Sequence, residues 1–180
     1  YKHEAQERLI VEELATNLIG VKIASEKINK LRAQEMKTSE KELKTFKENF
    51  PFKLTNAQSR TIKEISEDIA LKKPMRRLVQ GDVGSGKTVV AAVSMFIAAK
   101  NDTQSVLLCP TEVLAEQHFK NFLEWFKKSN IKIELLTGKL PNAKRKRIYQ
   151  DLENGDIDIL IGTHAVFQDK VVMKLSLIHI

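Results

Sequence analysis

The chain has 180 residues, which is room for one domain of ordinary size with an appendage. With 42% hydrophobic and 29% charged residues it can bury a core, so a disordered tail is excluded. A single cysteine, Cys109, excludes a disulfide scaffold, and the histidines at 3, 118, 164 and 179 are too scattered for a zinc site. Thirty basic against 23 acidic residues, a formal charge of +7, lean towards a polyanionic partner. No apolar run reaches the roughly 18 residues of a membrane span.

The first segment, residues 4 to 34, carries Leu9, Ile10, Leu14, Leu18, Val21, Ile28 and Leu31 at helical spacing. Tyr1 opens inside that pattern, so the chain reads as continuing upstream. Ser39 with Glu42 forms a capping box that starts a short helix ending near Asn49, and Pro51 breaks the pattern. The expected division is therefore a helical linker over 1–50 and a second unit from 51.

From Thr55 the rhythm changes. Thr55 with Gln58 is a second capping box, opening a helix with Ile62, Ile65 and Ile69 that stops before Pro74. Strands are expected at Arg77–Gln80, Ser105–Cys109, Ile131–Leu136 and Ile157–Ile161, and helices at Lys87–Lys100, Glu112–Lys128 and Ala143–Glu153. Short apolar runs separated by helices of this length predict an α/β fold, a parallel sheet with helices on both faces. Val166 to Lys174 reads as the approach to another strand. The last six residues, Leu175–Ile180, match the translation of a transposon adaptor used in sequencing libraries, so a non-native tail is expected there.

The strongest chemical signal is Gly81-Asp-Val-Gly-Ser-Gly86-Lys87-Thr88, a full match to the phosphate-loop pattern. Gly81, Gly84 and Gly86 let the backbone wrap closely, so that its amides, with those of Asp82, Val83 and Ser85, face an anion. The next helix aims its positive end at the same phosphates. Lys87 supplies a mobile charge for the β and γ phosphates, and the Thr88 hydroxyl can join a Mg²⁺ shell. A nucleotide is the expected ligand.

The residues around this loop resemble one family. Phe52-Lys-Leu-Thr-Asn-Ala-Gln58, then Pro74 to Ala92, then Cys109-Pro-Thr-Glu-Val-Leu-Ala-Glu-Gln-His118, Leu135-Leu-Thr-Gly138 and Ile161-Gly-Thr-His-Ala165 with Gln168 follow one another in the order of the first motor domain of RecG-type helicases, superfamily 2 DNA translocases. The resemblance runs over 51–174, and Glu7-Arg-Leu-Ile-Val-Glu-Glu-Leu14 is similar to the helix joining that family's wedge domain to its motor. It implies a P-loop, RecA-like motor that takes ATP with Mg²⁺ and remodels branched double-stranded DNA, stalled forks and four-way junctions, in the bacterial cytoplasm, as a monomer. Gln58 would read the adenine, with Phe52 beside the base or in the core. Pro110, Thr111 and Glu112, Gly138, Thr163 and His164 would track the DNA backbone.

The family's acidic Asp-Glu-x-His motif is not among these residues. The resemblance places it on the next strand, and places a wedge domain and a second motor domain elsewhere in the same chain. Weak nucleotide binding and little or no turnover are therefore expected. His118 reads as structural, Lys144–Arg147 as a solvated helix face, and Phe122, Trp125 and Phe126 as helix packing. Three other readings remain open at this point: the motor of a transcription-repair coupling factor, a P-loop kinase or regulatory module, and a nucleotide-binding piece without activity. A kinase would need an aspartate on a neighbouring strand, and Ser105–Cys109 offers none.

Overall fold

A computed structural model describes residues 2–29, 31–163, 166 and 176–179. In chain order the elements are α1 (Lys2–Asn29), α2 (Glu40–Lys47), α3 (Asn56–Ile69), α4 (Lys87–Ala99), β1 (Gln104–Leu108), α5 (Glu112–Phe126), β2 (Ile133–Leu136), α6 (Asn142–Asn154), β3 (Ile159–Gly162) and β4 (Ser176–His179). The sheet order is β2-β3-β1-β4, and every pairing is parallel.

Alternation along the strands sorts their side chains to two faces. Leu107, Ile133, Ile159 and Ile161 join the larger cluster with α3, α4 and α5, whereas Val106, Leu136 and Leu160 meet Ile148 and Leu152 of α6. Helices thus cover both faces, as short apolar runs between helices predict. Local signals set the helix ends. Ser39 and Glu42 close a reciprocal capping box on α2, and Thr55 and Gln58 close another on α3. α6 ends at Gly155 in the left-handed region (φ 83°), where the amides of Gly155 and Asp156 return to Leu152 O and Asp151 O.

The break at Pro51 is not a break in packing. Phe46 of α2 is 2% exposed; its ring stacks on Phe96 of α4 at 4.2 Å and lies 4.7 Å from Phe126 of α5. Met36 and Phe50 are buried in the same cluster. The segment before α2 is stitched on as well: Met36 N donates to Ile69 O, and Asn101 Nδ2 donates to Lys37 O and Ile97 O while its Oδ1 accepts from Lys37 N. By contrast the apolar residues of α1 (Leu9, Leu14, Leu18, Val21) are all more than half exposed. Proline stops a helix locally, but the core is decided by which rings reach it.

One expected strand is corrected. Arg77–Gln80 enters no ladder among the described residues, and Leu78 is 83% exposed. A strand exists only through a hydrogen-bonded neighbour, and the outer edge of β1 is taken by β4. Val79 alone turns inward to the core. Ser176–His179, expected as a tail, pairs with β1 in a shifted register.

Candidate nucleotide and nucleic-acid site

Three parallel strands end in register: Leu108 of β1 pairs with Gly162 of β3, which pairs with Leu136 of β2. Pro110, Thr111 and Glu112 follow the first end, Gly138 follows Leu136, and Thr163 follows Gly162. One rim therefore brings together Pro110–Glu112, Gly138 and Thr163. Backbone bonds tie it: Cys109 N donates to Gly162 O at 2.8 Å, and Thr163 N to Leu136 O at 3.4 Å. Gly162 is required there, because a Cβ would stand 2.3 Å from Leu136 O. His164 lies outside the described residues.

The glycine loop belongs to the same rim. α4 ends at Ala99, just before β1 opens at Gln104, so the opposite end of the helix faces the carboxyl ends of the strands. Gly86 caps α4 from the left-handed region (φ 80°) without a side-chain bond, which leaves the amides of Lys87 and Thr88 for an anion, while Val89 N donates to Gly86 O and Ser85 N to Asp82 O. Lys87 Nζ bridges Gly81 O at 2.6 Å and Asp82 O at 2.8 Å. Gly84 (φ 84°) has nothing near its missing Cβ, and Val83 is fully exposed. Thr88 is half-buried one residue into the helix. Open amides, a cation seated on loop carbonyls and a hydroxyl in the first turn fit a phosphate chain with its metal ion.

Gln58 joins this loop to α3. Its Oε1 accepts from Thr55 N at 2.9 Å, and its Nε2 donates to Ser85 O at 2.8 Å. A Cβ on Gly86 would stand 2.3 Å from that Nε2, so a side chain there would displace the Gln58 amide, and the positive φ favours glycine in any case. Both ends of the amide are engaged, on a capping box and on the loop itself. Phe52 is 45% exposed and lies parallel to Phe50 at 5.8 Å. Arg77 anchors the approach to the loop, reaching Glu64 at 2.7 Å and Asp68 on α3; these partners raise its pKa.

Sequence reasoning passed over two residues that the geometry adds to the rim. Lys139 Nζ meets Glu112 Oε2 at 2.8 Å, and Arg145 Nη2 donates to Gly138 O at 2.8 Å. Arg145 is therefore not part of a uniformly solvated face, although Lys144, Lys146 and Arg147 are exposed. The signal was hidden inside a basic run. The Lys139 ammonium, acting first through its hydrogen bond, pulls the Glu112 carboxyl below the usual carboxylate range, and Lys139 is raised in return. Phe122, Trp125 and Phe126 are buried as helix packing. His118 is half-buried with Nδ1 unpartnered, and burial lowers its pKa.

The sequence pattern of the DEAD/DEAH box helicases matches residues 55–179, and the chain belongs to that family. Within it, the chain is 43% identical over 167 residues to the ATP-dependent DNA helicase RecG of Aquifex aeolicus, with 93% of this chain and 21% of the relative covered. RecG of Bacillus subtilis is 47% identical over 141 residues, covering 78% of this chain and 21% of the relative. A solved structure of RecG bound to a three-way DNA junction superposes with a TM-score of 0.84 at 40% identity, over 94% of this chain and 23% of that one. The RecG resemblance read from the motifs is therefore met in both sequence and structure. The chain spans about a fifth to a quarter of the length of these relatives. A hypothetical ATP-dependent RNA helicase from Sulfolobus tokodaii, 20% identical with a TM-score of 0.54 over 74% of this chain and 38% of that chain, shares the fold.

Proposed function

We propose that this chain carries the nucleotide-binding part of an ATP-driven translocase that remodels branched double-stranded DNA. The observation that carries the reading is the position of the Gly81–Thr88 loop, with Lys87 on its carbonyls and the open amides of α4, on the rim where Pro110–Glu112, Gly138 and Thr163 meet. Lys87 leaves Gly81 O and Asp82 O for the β and γ phosphates, which restores the ammonium's full charge to an anion. Thr88 would hold the Mg²⁺ that accompanies the phosphates, and hydrolysis of the γ-phosphate would supply the free energy for movement. Gln58 meets the adenine edge, exchanging its bond to Ser85 O for one to the base. Phe52 packs beside that base.

The hydroxyls of Thr111 and Thr163 and the Gly138 turn take DNA phosphates, as hydroxyls and backbone N–H groups do. The packed motor unit begins near Ala33 rather than at Pro51, because Met36, Phe46 and Phe50 share its core. Turnover requires the acidic motif, the wedge and the second motor domain that RecG-type proteins carry, so these 180 residues bind Mg-ATP without steady turnover. On the likeness to RecG-type proteins we place the intact protein in the bacterial cytoplasm as a monomer. Calorimetry with Mg-ATP on the folded chain tests the reading. Heat that disappears in Lys87→Ala supports it, and no heat in the unsubstituted chain refutes it. Turnover with junction DNA at a full-length relative's rate would refute the division of labour.

A further inference from the structure

The turn that follows β2 is gripped from two sides. On one, the Arg145 guanidinium donates to the carbonyls of Gly138 at 2.8 Å and Leu140 at 3.4 Å. On the other, the Glu112 carboxylate takes Lys139 Nζ at 2.8 Å. The approach is close, since a Cβ on Gly138 would lie 3.2 Å from Glu112 Oε1. An ammonium and a close-packed glycine turn facing a pair of oxygens form the kind of seat that nucleic-acid phosphates use. Here an internal carboxylate fills it.

The DNA-track reading gave Glu112 a phosphate contact, and its charge opposes that. A carboxylate repels a phosphate, while the groups around it attract one. We infer that Glu112 is an internal stand-in for a DNA phosphate. It holds the Gly138–Lys139 turn in place until DNA arrives, and Lys139 then changes partner from carboxylate to phosphate. Glu112 is a positioning residue, and Lys139 is the phosphate ligand that the motif pattern does not mark. The exchange is open to solvent: the Lys139 side chain is 81% exposed and that of Glu112 25%. An exposed ion pair is readily exchanged. Arg145 keeps the Gly138 and Leu140 carbonyls occupied throughout, so they do not face the incoming phosphate. This inference rests on the rim being the DNA track.

The test measures affinity of the full chain for a three-way DNA junction by fluorescence anisotropy across a salt series. Lys139→Ala is expected to weaken binding several-fold and to lower the salt slope by about one phosphate contact. Glu112→Gln keeps the shape but removes the competing charge, so it should tighten binding several-fold at low salt. The double variant should behave like Lys139→Ala alone, and Lys139→Arg should restore the slope. If Glu112→Gln weakens binding while its melting curve is unchanged, the carboxylate is not a competitor and the inference falls. If both single variants leave the slope untouched while the unsubstituted chain binds, this inference alone falls. If the unsubstituted chain has no affinity for the junction, the DNA-track reading itself falls.

Discussion

The phosphate loop and the body that carries it are held by different forces. In the body, Ile159, Leu160 and Ile161 are wholly buried, and Phe46 stacks into a cluster of rings. In the loop, Val83 is fully exposed and Gly84 touches nothing through its open side; Lys87 and Gln58 restrain the segment through bonds to Gly81 O, Asp82 O and Ser85 O. Apolar burial has no direction and is hard to exchange, whereas hydrogen bonds to carbonyls can be swapped for bonds to an incoming anion. The body stores stability, and the loop stores only geometry.

Substitutions should separate the two. The largest effect on the body is expected for Phe46→Ala, a loss of about 3–5 kcal/mol for a buried ring. Denaturant unfolding should show it while the fraction still folded binds Mg-ATP normally. A loss below 1 kcal/mol, which is roughly the surface range, would mean that α2 is not part of the core. Lys87→Ala should do the converse. Removing a charged hydrogen-bond donor costs roughly 1.5–3 kcal/mol of binding, about ten- to a hundredfold in affinity, with little change in melting.

Gln58→Ala blurs the division, since one amide serves both regions. It should cost about 0.5–1.5 kcal/mol of stability through the cap and also weaken nucleotide binding. A change in only one readout would show that its two bonds are independent. His118 gives a smaller, pH-dependent effect. Its folded pKa lies below the ordinary imidazole value, so its contribution is complete above that value and is lost as pH falls through the folded one. Melting temperature should fall on acidification, and His118→Gln should flatten that fall. Smallest of all, Leu18→Ser on exposed α1 should change stability by no more than about 0.5 kcal/mol.

Much of this was legible because it is local. The capping boxes at Ser39 and Thr55, the glycine loop and the apolar runs of β1 to β3 are each specified within a few neighbouring residues, and the strand ends differ by at most two positions. What sequence missed depends on partners far along the chain. Arg77–Gln80 has strand composition but no neighbouring ladder, and composition cannot supply one. Pro51 marked a helix end correctly, yet Phe46 and Phe50 cross that mark to reach Phe96 and Trp125. Glu112 lies in one motif and Lys139 just past another, so their pairing becomes visible only when the ends of β1 and β2 are brought to one rim across β3. For His164 the comparison cannot be made, as it lies outside the described residues.

Asn101 gives α4 a second attachment. The helix is a rod of 13 residues, about 20 Å long by the usual rise per residue, with the glycine loop at one tip and the Asn101 clasp on residue 37 at the other. The same segment holds α3 as well, Met36 N on Ile69 O, so residues 36 and 37 clasp the far ends of both helices whose opposite ends meet at the glycine loop through Gln58 and Ser85 O.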